Sequence, residues 1–243
     1  MMKILYQLTS PMEKTVLGKE EVSRRRDFLN RYASPGVTVE VQSIPWGPSS
    51  IESAYEAALV VPGVLQATIR AEAEGYNAVI IGCFSDPGIE AIREVVTIPV
   101  IGPGTSAMHL AAQVGSSFSI ISPLEGKIGS VRARLRALGL EAKFASVRGM
   151  GMSVLDLARQ REEALQKIAA VGMRAVEEDG ADVLVLGCMS MAFLGITDEL
   201  QTRIGVPVVN PVTAALKTTE LLVSINLTHS KRAYPFPPKQ EIV

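Results

Sequence analysis

Two residues in this 243-residue chain stand out for the chemistry they could do: Cys83 and Cys188, its only cysteines. Each closes an apolar run behind a glycine, in Ala78-Val79-Ile80-Ile81-Gly82-Cys83 and in Asp182-Val183-Leu184-Val185-Leu186-Gly187-Cys188. The text that follows is duplicated as well. Pro99-Val100-Ile101-Gly102-Pro103-Gly104-Thr105 answers to Pro207-Val208-Val209-Asn210-Pro211-Val212-Thr213. Gly75 and Gly180 stand equally far upstream of the two cysteines. A thiol can serve as acid, base, nucleophile, metal ligand or half of a disulfide. One cysteine at a strand end is usually packing, because free cysteine is among the most buried residue types. Two at matched points of an internal repeat point to a common task, and the expectation is that they face each other across one active site.

Each cysteine is expected between a strand and a helix start. Backbone N–H groups are available there and the helix dipole favours an anion. A thiolate then becomes accessible near neutral pH, and the same N–H groups can hold a carboxylate or a forming enolate. Candidate substrate contacts are therefore the N–H groups of Phe84 and Met189, helped by Ser10, Ser85, Ser122 and Ser190, each in a short polar loop after a strand. A zinc site is disfavoured, since no histidine or further cysteine has ligand spacing. His109 reads as a packed mid-helix residue and His229 as a tail residue with no evident partner. Asp86 and Thr197 read as helix caps, and Met189 and Met191 as pocket lining. Gly102-Pro103-Gly104 is no dinucleotide fingerprint, and no Walker loop occurs.

The elements that must position these residues alternate. Residues 3–8 form a short apolar strand, and a helix is expected from about Glu13 to Arg31, ended by Ser34-Pro35-Gly36. Residues 37–41 alternate as a strand. A helix from Ile51 is expected to break at Pro62-Gly63 and resume to about Glu74, before the strand that delivers Cys83. The second half repeats the order: strand 117–122, helix from about Ile128 to Leu138, strand 142–147, mostly helix over 155–178, and the strand that delivers Cys188. Apolar strands alternating with helices imply parallel sheets covered on both faces, with ligands beyond the carboxyl ends of the strands. The fold class is α/β, with two pseudo-symmetric domains, each a parallel sheet flanked by helices, and the active site in the interdomain cleft. The expected domains are residues 1–103 with 212–243, and 104–211. The tail from Thr228, with Pro235, Pro237 and Pro238, reads as an extended arm.

Composition narrows the function classes. The formal net charge is -1 without long single-sign runs, so generic nucleic-acid binding is not indicated. Arg24-Arg25-Arg26 reads as a solvated helix face. The N-terminus enters a strand pattern directly and lacks the parts of a signal peptide. No Asp, Glu, Lys or Arg occurs between Glu94 and Glu125, but Pro99, Gly102, Pro103, Gly104, Gly115 and Ser116 interrupt that stretch, so it is not expected to span a membrane. Two cysteines do not make a disulfide scaffold. The expected location is the cytoplasm. The expected partners are a small-molecule substrate and further copies of the chain, with no nucleic acid and no membrane.

At this point the residues carry a likeness. The chain resembles the aspartate/glutamate/hydantoin racemase superfamily, and within it the hydantoin racemase branch. The likeness lies in Ser50-Ile51-Glu52-Ser53, Val61-Pro62-Gly63, Gly82-Cys83-Phe84-Ser85-Asp86-Pro87-Gly88, Val154-Leu155-Asp156-Leu157, Leu186-Gly187-Cys188 and Gly205-Val206-Pro207-Val208-Val209. It implies a pseudo-symmetric pair of α/β domains and catalysis by two cysteines with no cofactor, neither pyridoxal phosphate nor metal. One thiolate removes the proton from the chiral carbon and the other thiol returns one to the opposite face. The chain departs from the family pattern in three places. Gln7-Leu8-Thr9-Ser10-Pro11 replaces an Asn-Pro-Asn-Thr-like run, Met189-Ser190-Met191 replaces small residues, and Asn210 replaces a frequent Asp.

The resulting expectation is a cofactor-independent racemase or epimerase with Cys83 and Cys188 as acid and base. Its expected substrate is a 5-substituted hydantoin or a related cyclic ureide. The rivals are a maleate-type cis–trans isomerase, in which one cysteine adds covalently, an amino-acid racemase, and a non-enzymatic redox or ligand-binding module using the cysteine pair.

Overall fold

Short apolar runs separated by amphipathic stretches become parallel strands with helical crossovers, because consecutive parallel strands need a long connection. The computed structural model describes residues 1–126 and 128–239. Internal contacts divide the chain into two compact units, Met1–Gly102 with the chain from Ala215 onward, and Pro103–Ala214.

The first unit runs β1 (Met2–Gln7), α1 (Gly18–Tyr32), β2 (Val37–Gln42), α2 (Ala54–Ala73), β3 (Ala78–Ile81), α3 (Ile89–Val95) and β4 (Val100–Ile101). Its four strands are parallel in the order β2-β1-β3-β4. The second runs α4 (Pro103–Val114), β5 (Phe118–Ser122), α5 (Ile128–Ala137), β6 (Phe144–Gly149), α6 (Val154–Arg159), α7 (Arg161–Asp179), β7 (Val183–Leu186), α8 (Met189–Ala192), α9 (Thr197–Ile204) and β8 (Val208–Val209). Its parallel sheet has the order β6-β5-β7-β8, the same path as the first. Helix α10 (Pro211–Ser224) follows. This is the α/β architecture expected from the strand pattern. The central strands β3 and β7 are buried along their whole length, as strands covered on both faces must be.

Several boundaries differ from the sequence reading, each for a local reason. The first helix begins late. Residues Met12–Lys14 form a separate 3-10 turn, Thr15 is extended, and Gly18 opens α1 at φ +66. Pro62 does not interrupt α2. Proline forfeits one backbone hydrogen bond, but Val60, Val64, Ala67, Thr68 and Ala71 bury the helix on either side. The start of α2 is fixed by Ser53, whose hydroxyl accepts the Glu56 N–H at 3.2 Å, and by the Glu56 carboxylate, which accepts the Glu52 N–H. The long helix of the second unit is two helices, parted where Gln160 leaves helical geometry. The arginine cluster is not one solvated face either. Arg25 is buried and pairs with Glu21 at 2.8 Å. Burial pushes the Glu21 carboxyl up, but Arg24 and Arg25 together hold it below its ordinary range.

The tail is an arm strapped along the first unit, and residues 240–243 lie outside the described chain. β4 is an edge strand, and its Val100 N–H donates to His229 Nε2 at 2.8 Å. His229, expected to have no partner, thus closes a sheet edge. Lys231 donates to the carbonyls of Arg93, Glu94 and Val96 at the end of α3, where a cation suits the helix dipole. Upstream, Glu220 of α10 accepts from the Ser34 N–H and hydroxyl, tying α10 to the end of α1.

Candidate active site

In the first unit, the sheet register sets Gln7 beside Ile81. One residue on, the Gly82 N–H donates to the Gln7 carbonyl at 2.7 Å. A Cβ on Gly82 would lie 2.8 Å from that oxygen, so the strand can pass this point only as glycine. The chain then turns sharply. The Cys83 N–H donates to Ile81 and the Asp86 N–H to the Cys83 carbonyl, at 2.9 and 3.1 Å. Within that turn, Cys83 Sγ lies 3.2 Å from Ser85 Oγ. Gln7 locks the neighbouring strand ends, its Nε2 donating to the carbonyls of Leu8 and Gln42. Ser10, buried, follows β1 at the same end of the sheet.

The second unit repeats this with different atoms. The Gly187 N–H donates to the Ile121 carbonyl at 2.8 Å, and a Cβ there would come within 2.7 Å of that oxygen. Cys188 follows and caps α8, its carbonyl accepting the Ala192 N–H at 3.0 Å. Ser122 ends the adjacent strand β5, with its hydroxyl accepting from Leu124. Met189, Ser190 and Met191 are buried in α8. Both cysteines carry thiols rather than a disulfide.

The structure therefore places Ser10, Cys83, Phe84 and Ser85 after the carboxyl ends of the central strands of one sheet, and Ser122, Cys188, Met189 and Ser190 at the corresponding end of the other sheet. It departs from the expectation that both cysteines open helices. Cys188 caps one four-residue turn, whereas α3 begins only at Ile89, capped by Gly88 in a left-handed conformation. Asp86 is not its cap. Its carboxyl group is turned instead onto Gly102. Thr197 does not cap α9; its hydroxyl accepts from Asn210 Nδ2. His109 is exposed on α4 rather than packed, its Nδ1 2.8 Å from the Thr105 carbonyl.

Sequence reasoning used Gly82 and Gly187 to mark the repeat but gave them no structural role of their own. It also passed over the structural work of Asn210, whose only signal was its place opposite Gly102 in the repeat.

Comparison with known proteins shows the family and the fold. Residues 25–219 match the Asp/Glu/Hydantoin racemase family. The chain is 36% identical over 198 residues to a hydantoin racemase from Pseudomonas sp. (strain NS671), covering 81% of this chain and 79% of that one. It is 37% identical over 191 residues to a hydantoin racemase from Rhizobium meliloti, covering 78% of each. Among solved structures, the allantoin racemase from Klebsiella pneumoniae superposes with a TM-score of 0.90 at 29% identity, covering 100% of this chain and 96% of that one.

Proposed function

The chain belongs to the Asp/Glu/hydantoin racemase family, and from that premise we propose that it racemises 5-substituted hydantoins or related cyclic ureides with Cys83 and Cys188 as its acid–base pair. It is a racemase of the hydantoin and allantoin racemase type, an isomerase. The observation that carries the finer reading is the matched delivery of the two thiols. Each stands one residue beyond a glycine pinned to the neighbouring strand's carbonyl, at the carboxyl end of the third strand of its unit.

The chemistry follows from the substrate class. The C5 proton of a hydantoin is flanked by a ring carbonyl, so its removal leaves a carbanion delocalised as an enolate. One thiolate takes that proton, and the opposite thiol gives its own to the other face of C5. The product is the mirror image, and the two sulfurs have exchanged protonation states. Two thiolates sharing a ligand would repel, so the resting pair holds one proton between them. Ser10, Phe84 and Ser85, with Ser122, Met189 and Ser190, are the proposed contacts to the ring oxygens and N–H groups, by hydroxyl or backbone N–H.

The experiment follows each enantiomer of allantoin and of a 5-alkyl hydantoin in deuterated water, by polarimetry and by loss of the C5 proton signal. The wild type should do both. Cys83→Ser and Cys188→Ser should each abolish racemisation while folding, and each should still exchange the proton of one enantiomer. Full racemase activity in either folded single variant rules out the pair. Exchange of both enantiomers by one variant points to a single base.

A further inference from the structure

We propose that Asp86 is the positioning residue of the Cys83 turn, taking in the first unit the part that Asn210 takes in the second. The proposal rests on the two-cysteine reading above.

The repeat sets Gly102 opposite Asn210, each directly after a two-residue strand, β4 or β8. In the second unit the buried Asn210 does two things. Its Oδ1 accepts from the N–H groups of Val212 and Thr213, at 2.9 and 3.4 Å, capping α10. Its Nδ2 donates to the Ala192 carbonyl at 2.9 Å and to Thr197 Oγ1 at 3.1 Å. The Ala192 N–H in turn holds the Cys188 carbonyl. One amide thus ties the cysteine turn to the end of the neighbouring strand.

At the matching point of the first unit, Gly102 has no side chain. The space is filled from the opposite direction by Asp86, since a Cβ on Gly102 would overlap the Asp86 carboxyl carbon and Oδ2. Asp86 is buried, at 5% exposure. Its N–H holds the Cys83 carbonyl at 3.1 Å and its own carbonyl accepts from Ile89. It does so at φ +49, a left-handed conformation that a residue with a side chain keeps only when its surroundings hold it. The same gap between cysteine turn and edge strand is therefore closed in both units. A strand residue reaches the turn in one, and a turn residue reaches the strand in the other. Through the turn, Asp86 keeps Cys83 Sγ beside Ser85 Oγ, where the hydroxyl can donate to a thiolate.

The gap admits one side chain, and that makes a test. Gly102→Asn alone should lower kcat about tenfold or more, because the introduced amide and the Asp86 carboxylate compete for one space. Adding Asp86→Ala should return kcat to within about threefold of wild type, as the amide replaces the carboxylate. Asp86→Ala alone should cost about tenfold in kcat with little change in KM, and Asp86→Asn, of the same shape, should stay within about threefold. Circular dichroism checks that each variant folds.

Wild-type kcat in Asp86→Ala overturns the proposal, as does a double variant no better than Gly102→Asn. If Asp86→Ala does not fold, the double variant and Asp86→Asn decide. A tenfold loss in folded Asp86→Asn would mean that charge rather than fit matters, and would also overturn it. A second readout needs no substrate: iodoacetamide alkylation of Cys83 at pH 7 in the Cys188→Ser background. Asp86→Ala should slow it about fivefold by removing the Ser85 hydroxyl from the thiolate; an unchanged rate overturns the proposal. If the wild type racemises no hydantoin, the functional reading fails, and alkylation still decides the role of Asp86.

Discussion

At the scale of single residues, the two glycines before the cysteines are as constrained as the cysteines themselves. Each gives its N–H to the neighbouring strand's carbonyl, and each would thrust a Cβ against that same oxygen. The obstacle is backbone in both units, held by its own ladder, and cannot rotate away as a side chain can. Gly82→Ala and Gly187→Ala should therefore each destabilise the protein by about 1–3 kcal/mol, the usual cost of overpacking, read as a lower urea midpoint at unchanged slope. Each should also displace its cysteine. Loss of racemisation out of proportion to the loss of stability is the expected signature, and a variant as stable and active as wild type would show that the strands can separate at this point.

At the scale of elements, one buried side chain, that of Asn210, joins three helices. Asn210 caps α10 and reaches the end of α8 and the start of α9 with one amide. Asn210→Ala removes a cap and leaves the Ala192 carbonyl without that donor, so a loss of about 2 kcal/mol is expected. Chemical denaturation gives the number, and a change below about 0.5 kcal/mol would mean that water replaces the amide at no cost. Asn210→Asp is informative beside it. The carboxylate keeps the cap to Val212 and Thr213 but cannot donate to Ala192 or Thr197, so it should fall between wild type and Asn210→Ala. The cap at α3 is of another kind, with Gly88 in a left-handed conformation and no side-chain oxygen.

At the scale of the whole chain, the tail returns from the end of α10 to the first unit and closes its sheet edge through His229. Burial first, then the nearby positive charge of Arg93 and Lys231, pushes the His229 imidazole down to about 4, and the Val100 N–H, which donates to the unprotonated Nε2, suits the neutral ring. The other group facing it is Tyr234, whose ring stands edge-on to the imidazole. The sign follows from linkage. Above pH 6.5 the imidazole is neutral whether the chain is folded or not, and its contribution is complete. Between 6.5 and about 4 the unfolded chain takes up the proton first, so stability falls as pH falls. Below that window both states are charged and no more is lost. His229→Gln keeps an acceptor near the Nε2 position without titrating. Across this window the melting temperature of wild type should fall about 2–4 °C further than that of the variant, a value reduced for the partial exposure of the ring. Parallel curves would place the pH dependence elsewhere.

What the sequence determined by itself was whatever is written locally or written twice. Apolar runs such as 78–81 and 183–186 can only be covered strands, and the matched Gly-Cys pairs expose the repeat without any knowledge of contacts. The α/β class with two parallel sheets follows from that, and the structure agrees; the order of the strands within each sheet is not written there. Only the tertiary structure decided which polar side chain meets which backbone group across long separations. Ser34 meets Glu220 and Val100 meets His229, partners 186 and 129 positions apart. No local pattern announces such pairs, because an acceptor, a cap and a solvated side chain have the same composition. For that reason Asp86 and Thr197 read as caps of α3 and α9, where Gly88 and Ile196 stand instead, Arg25 reads as solvated and is buried, and Asn210 reads as a departure from a family pattern when it is the anchor of three elements. The difference between Asp86 filling the space at Gly102 and Asn210 filling its own is a matter of volume. Volume is set when the elements pack and not before.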